Sequence, residues 1–272
     1  MFAASANANT EDKARPTITW YGGNYPPTFI ATGPKAGQGY GDKALAFLFS
    51  QMPDYRNMPV TTSFNRGLAG MRERDGACMF GVIKTPEREK YYAFTGPVSA
   101  TLPNRVIMLK SRAREIAPFL DPRGEVELEL LVRTSGMRFG VITDRFYSTH
   151  INSVLDEAAA DNRDRVRLSE PRYGTLLYHS RIDYTFGFPY EAAYQFAELG
   201  APDAYISFPI KGEPPLLFAH VACSKTPLGH AVVAKINALV AQPAVRKQLY
   251  GYFTEWLDDA ARADFLRALQ AQ

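Results

Sequence analysis

Apolar positions along this chain come in short runs that alternate between strand-like and helix-like spacing. Thr17-Ile-Thr-Trp-Tyr21 is β-branched and aromatic and stops at Gly22-Gly23, which predicts a strand ending in a turn. Pro26-Pro27 holds the next segment extended, and Gly37 to Gly41 is a second glycine-rich loop. Asp42 is placed to cap a helix with Leu45, Leu48, Phe49 and Met52 at helical spacing, and Pro53 marks its end. Val60 to Phe64 reads as a strand, and Asn65 as the cap of a helix running to Arg74. Ala77-Cys-Met-Phe-Gly-Val-Ile83 is apolar throughout, as in a strand buried on both faces. This rhythm predicts a mainly parallel α/β layer.

The rhythm restarts after a strand at Arg105-Val-Ile-Met-Leu109. Arg138 to Ile142 is a strand, and Ser148 to Ala160 holds a helix with Ile151, Val154 and Leu155 on one face. Arg165 to Leu168 is a strand, Tyr173 to His179 a short helix, and Ile182 to Phe186 a strand. Beyond Pro214-Pro215, Leu216 to Cys223 reads as one more strand. Thr226 caps a helix, and Pro243 suits the first turn of another with Trp256 and Leu257 on its apolar face. These last elements are too few for a new domain and are expected to complete the first sheet. The architecture expected is two-lobed: 16–104 with 217–272 as a discontinuous first lobe and 110–214 as the second. Hinge strands are expected at 105–109 and 215–220, near Val106 and Phe218. Ligands in open α/β sheets bind beyond the carboxyl ends of the strands, which points to an interlobe cleft.

Composition narrows the function classes. The 272 residues are 46% hydrophobic and 22% charged, as in a globular protein with a sizeable core. Lys and Arg number 31 against 28 acidic residues, and the signs are interleaved, as in Arg163-Asp164-Arg165, which is no nucleic-acid footprint. No run approaches the roughly 18 apolar residues of a membrane span. Two cysteines and four scattered histidines (His150, His179, His220, His230) give no metal-ligand spacing, and no cofactor motif is present. Residues 1–15 end their small-residue run at Ala6 and Ala8 in an A-x-A pattern, read as the remnant of an export signal; an ordinary flexible terminus is the other reading.

The order of motifs carries a resemblance. Gly39-Tyr-Gly-Asp42 opens a helix, Asp75-Gly-Ala-Cys-Met-Phe-Gly-Val-Ile-Lys-Thr-Pro-Glu-Arg88 follows, and then Phe94-Thr-Gly-Pro97 as a turn. Arg181-Ile-Asp183 precedes a strand, and Cys223-Ser-Lys225 precedes Ile236-Asn237. From about Pro16 onward the chain resembles the family 3 extracellular solute-binding proteins, best known for polar amino acids. The resemblance implies the type 2 periplasmic-binding fold: two lobes, each a mainly parallel sheet flanked by helices, that close on a small solute. It also implies a periplasmic monomer that binds without catalysis and serves an ABC-transporter permease or a membrane sensor.

Arg88 matches the family arginine that holds the ligand carboxylate, a task suited to a planar guanidinium with parallel charge-assisted bonds. A surface ion pair with Glu87, Glu89 or Glu191 is the competing role. Tyr25 and Phe64 match aromatics that sandwich the ligand, with plain core packing as the alternative. In the second lobe, Asp144-Arg145-Phe146-Tyr147-Ser148 falls where the family completes anion capture at a helix N-terminus. The family acid that pairs with a ligand ammonium falls at about Phe188, with Glu191 nearby but shifted. Gly81, Val82, Ile83 and Lys84 replace the small hydroxyl residues before Thr85, and Lys84 adds positive charge. The solute expected is therefore small and polar or anionic, amino-acid-like or carboxylate-bearing, with an anionic or aromatic solute suiting these residues better than a zwitterion. Cys78 and Cys223 are expected on neighbouring strands, as a disulfide in an oxidising compartment or as two buried thiols. Cyclohexadienyl dehydratases are similar to these binders in fold, so Asp144, Glu191 and His179 are also candidate acids and bases, in no diagnostic spacing.

Overall fold

Two five-stranded sheets organise the computed structural model, which describes residues 15–143, 145–158, 164–169 and 172–271. In chain order the first elements are β1 (Thr17–Gly22), α1 (Tyr40–Ser50), β2 (Arg56–Thr61), α2 (Phe64–Glu73), β3 (Ala77–Ile83), α3 (Pro86–Glu89) and β4 (Tyr92–Thr101). Then come β5 (Arg105–Leu109), a 3-10 segment (Lys110–Phe119), α4 (Leu128–Thr134), β6 (Phe139–Ile142), α5 (Thr149–Glu157), β7 (Arg165–Leu168) and α6 (Tyr173–Tyr178). The rest are β8 (Tyr184–Gly187), α7 (Pro189–Glu198), β9 (Tyr205–Phe208), β10 (Leu217–Ser224), α8 (Pro227–Val240), α9 (Pro243–Thr254) and α10 (Asp259–Gln270). No single helix among the described residues is long and apolar enough to cross a membrane.

The chain forms two compact units: the described residues up to Thr101 with Phe218–Glu255, and Leu102–Leu217 with the described residues from Trp256 onward. The first sheet has the order β2-β1-β3-β10-β4, with β1 parallel to β2 and β3 and β10 antiparallel to β3. The second has the order β7-β6-β8-β5-β9, with β6 parallel to β7 and β8 and β5 antiparallel to β8 and β9. Each sheet thus keeps three parallel strands from its own βα rhythm. The reversed strand in each, β10 or β5, is the first formed after the chain arrives from the other unit.

Alternation along the strands sets the layers. Val106 and Met108 join Phe139, Val141, Leu131 and Ile151 in one cluster, while Ile107 and Ile142 join Tyr173, Leu177 and Phe196 in another. Successive residues of β5 and β6 therefore feed opposite faces, and helices cover both. In the first unit, Met71, Ala77, Met79, Val82 and Ala222 form a core against α2 and β10. Cys78 lies directly opposite Cys223 in the β3–β10 ladder, and the two form a disulfide with an S–S bond of 2.07 Å. The bridge spans 145 residues of sequence. For a loop of that length the chain-entropy model gives about 5 kcal/mol of stabilisation.

Several expected boundaries move. The second strand lies earlier, at Arg56–Thr61, and Phe64 opens α2 with Ser63, not Asn65, as its cap. Gly39, not Asp42, is the N-cap of α1; the Asp42 carboxylate instead accepts the N–H groups of Gly39 and Ile30, both at 3.0 Å. Phe94 to Pro97 lies inside β4 rather than in a turn. Helix α9 ends at Thr254, before Trp256 and Leu257, and Asp258 caps a further helix, α10. That helix packs with the second unit, although 217–272 were expected together in the first: Asp264 pairs with buried Arg105 at 2.7 Å, and Tyr205 Oη donates to Asp258 at 2.5 Å. Val106, expected in a hinge, is a fully buried core residue of the second sheet, and the unit boundary falls earlier, between Thr101 and Leu102.

Candidate functional site

In the first unit the candidate site is built at the carboxyl end of β3. Gly81, with φ of 82°, is the extra residue of a bulge: Val82 pairs with His220 and Phe80 with Val221, leaving Gly81 unopposed. Such a bulge bends its strand and re-aims the residues beyond it. Among these is Thr85, whose Oγ1 caps α3 by accepting the Arg88 N–H at 3.2 Å. The Arg88 guanidinium then folds back and donates Nη1–H to the Ile83 carbonyl at 2.7 Å. It also lies over the Phe64 ring, 5.3 Å from the centroid.

Phe64 is held in turn by Tyr25, whose hydroxyl accepts the Phe64 N–H at 2.6 Å and so satisfies one orphan donor of the α2 N-terminus. The Tyr25 ring approaches Gly23 so closely that a Cβ there would lie 2.4 Å from a ring carbon, which makes glycine a requirement at that turn. Tyr25, Phe64 and Arg88 thus form one connected group, with Tyr25 still 40% exposed.

The charges around Arg88 are decisive. Glu87 pairs with Lys90, Glu89 with Lys84 at 2.7 Å, and Glu191 with Arg145 at 2.9 Å. Every acid that competes for Arg88 in the sequence is therefore engaged elsewhere, and Arg88 has no carboxylate partner among the described residues. Burial pulls its pKa below the ordinary arginine value, with Tyr92 opposing. The result is a half-buried cation held by one carbonyl and one ring. Lys84, by contrast, already has a counter-ion at its side. His220 on β10 donates Nδ1–H to Thr95 O, 2.8 Å away; burial lowers its pKa, and Lys84 adds to the lowering while the Thr95 carbonyl opposes it.

The second unit gathers a different set. Arg145 donates to Glu191 at 2.9 Å and to Asn104 Oδ1 at 3.4 Å, and lies 5.3 and 5.2 Å from the Tyr147 and Phe188 ring centroids. Burial works against its charge, but the Glu191 carboxylate outweighs burial and holds the pKa above the ordinary arginine value. Glu191 is fixed by its place in the first turn of α7, where it also accepts the Phe188 N–H. Phe188 stacks on Tyr190, 5.2 Å between centroids. Tyr147 is only 4% exposed, and its hydroxyl accepts the Ile142 N–H at 2.8 Å, so it packs as a core pillar beneath Arg145. Ser148 caps α5 and donates to Glu213 at 2.5 Å. Asp144 lies outside the described residues.

Asn104 and Glu213 escaped the sequence reading. Asn104 is buried and joins the loop by donating to the Tyr147 carbonyl at 2.8 Å; in the sequence it stands between Pro103 and Arg105 in no pattern that singles it out. Nothing in the sequence marks Glu213. Among the described residues no group of three or more His, Cys, Asp or Glu side chains is placed to hold a metal ion.

No family model and no curated protein matches the sequence. Solved structures do match the fold. A probable amino-acid ABC-transporter extracellular-binding protein from Bacillus subtilis superposes with a TM-score of 0.64 at 16% identity, over 90% of this chain and 99% of that one. The chain has the fold of the type 2 periplasmic binding proteins. A histidine kinase sensor domain described as similar to periplasmic binding proteins gives 0.63 at 15% identity, over 90% and 97% of the two chains. A putative L-cystine ABC-transporter protein from Listeria monocytogenes gives 0.61 at 16%, over 90% and 98%. These neighbours share the fold that the motif order implies, at 15–16% identity.

Proposed function

We propose that this protein is an exported solute-binding protein whose first unit anchors a carboxylate-bearing solute on Arg88, with Tyr25 and Phe64 against the solute body. The observation that carries the reading is the half-buried Arg88 guanidinium, with no carboxylate partner among the described residues, on the fold of the solute-binding neighbours. A desolvated cation without a counter-ion is stabilised by an incoming carboxylate more than one already paired, because the anion restores what burial removed. Lys84 has the Glu89 carboxylate and adds little net attraction. Contacts from Ser148 and Phe188 enter the proposal as the sequence resemblance assigns them, while Arg145 and Glu191 satisfy each other.

The Cys78–Cys223 bridge supports an oxidising compartment and hence export. Delivery to an ABC transporter is the reading that the transport neighbours support. Signalling to a membrane partner is the second reading, favoured by a kinase sensor domain whose likeness equals theirs. Retention of a permease in a pull-down supports transport, and retention of a sensor kinase supports signalling. Binding itself is tested by thermal shift of the purified protein against monocarboxylates, dicarboxylates, aromatic acids and amino acids. A solute at about 100 times its Kd adds about 2.7 kcal/mol of stability. A carboxylate hit lost in Arg88→Ala is expected. A hit that survives Arg88→Ala, or hits only among solutes without an anionic group, contradicts the proposal.

A further inference from the structure

The second unit contains a hollow that the solute reading does not use. It has a volume of about 250 Å³ and lies where the outer strand β7 meets α5 and the loop after β6. Arg145, Arg165 and Arg167 line it, with Asn152 and Asp156 from α5. Arg165 and Arg167 stand two apart on β7, register partners of Phe139 and Val141, so their side chains leave the same face of the strand.

The arginines are incompletely satisfied. Arg165 donates Nη1–H to the Leu155 carbonyl at 3.2 Å, but its Nε is buried without a partner. Neither Arg165 nor Arg167 has a carboxylate partner among the described residues, and Asp156 is not within ion-pair distance of any of the three arginines. Arg145 is neutralised by Glu191, so among the described residues the hollow keeps the two β7 charges against one acid. A buried guanidinium N–H with no acceptor is costly, and two like charges facing one small space repel. An anion with several acceptor oxygens removes both costs at once, and the arginine fork matches a tetrahedral oxyanion.

We propose that this hollow binds a compact phosphate-type oxyanion, independently of the Arg88 site, with Arg165 and Arg167 as the binding residues and Asp156 as a restraint on affinity. The space exceeds that of a bare ion, so a phosphomonoester with a short organic body is as suitable as inorganic phosphate.

The test titrates the intact protein by calorimetry with inorganic phosphate and, separately, glycerol 3-phosphate. One-site saturable binding is expected that weakens with added NaCl. Arg167→Ala, at an exposed position that spares the core, is expected to weaken binding by about tenfold or more. Arg165→Lys, which keeps the charge and loses the fork, is expected to weaken it by a smaller factor, and Asp156→Asn to strengthen it. Tighter binding of the ester assigns an esterified ligand, and equal binding assigns the free ion. Arg88→Ala is expected to leave phosphate binding intact, which separates this site from the solute proposal. No saturation up to about 10 mM, or the same affinity in Arg167→Ala, overturns the inference.

Discussion

Arg88 and Arg145 sit in matched surroundings with opposite outcomes. Each guanidinium is partly buried, and each lies about one ring-contact distance from an aromatic face: Phe64 at 5.3 Å for Arg88, Phe188 at 5.2 Å for Arg145. Arg145 has Glu191 at 2.9 Å and is held above the ordinary arginine pKa; Arg88 has a carbonyl at 2.7 Å, no carboxylate, and is pulled below it. The difference is one counter-ion. It teaches that burial and aromatic contact do not by themselves make an arginine a ligand group. What distinguishes a binding cation from a structural one is whether the fold has already supplied its anion. The two units also differ in covalent support, because the one disulfide belongs to the first.

The covalent difference yields the largest expected effect. Reduction of Cys78–Cys223, or the double change to Ala, is expected to cost the first unit about 5 kcal/mol and leave the second unit's transition in place. Calorimetric scans that show both transitions moving equally break the comparison. The Arg145–Glu191 pair comes next. At 15% and 18% side-chain exposure it is partly screened, so Glu191→Gln is expected to cost about 2 kcal/mol, less than a fully buried pair. A double change with Arg145→Met is expected to recover part of that loss in urea titrations, since it removes the stranded charge. His220 is smaller still. Its folded pKa lies below its unfolded value near 6.5, so its contribution is complete above pH 6.5 and is lost as pH falls below it. The Tm is expected to drop across that window, and His220→Gln to flatten the drop; a drop of unchanged size in the variant assigns the pH dependence to other groups. Arg88→Ala closes the series with the least effect on stability, about 0.5 kcal/mol or less, because the arginine makes one carbonyl bond and no ion pair.

The strands that are apolar on both faces were legible from sequence: Ala77–Ile83, Arg105–Leu109 and Phe139–Ile142 appear where their runs predict them. The edge strand β2 was misplaced because most of its residues face solvent and Pro59 interrupts its pattern. Strand β9 and helix α4 are too short, at four and seven residues, for their spacing to stand out beside the loops around them. The break between α9 and α10 was lost because Trp256 and Leu257 continue the helical spacing past the true end at Thr254. At the site, residue types were readable but partnerships were not. Which of Glu87, Glu89 and Glu191 takes which cation depends on side-chain direction: Lys84 reaches Glu89 around the α3 turn, and Arg145 reaches Glu191 across 46 positions of chain. Those choices leave Arg88 without a carboxylate partner among the described residues.

The most direct measurement compares one solute in two chemical forms on two proteins. The carboxylate hit from the thermal-shift panel and its neutral amide are titrated by calorimetry into wild type and Arg88→Ala. Wild type is expected to prefer the carboxylate by tenfold or more, about 1.4 kcal/mol, and Arg88→Ala to bind both forms equally weakly. If Arg88→Ala keeps the full preference for the carboxylate, the anion is held by another group and the role given to Arg88 is wrong.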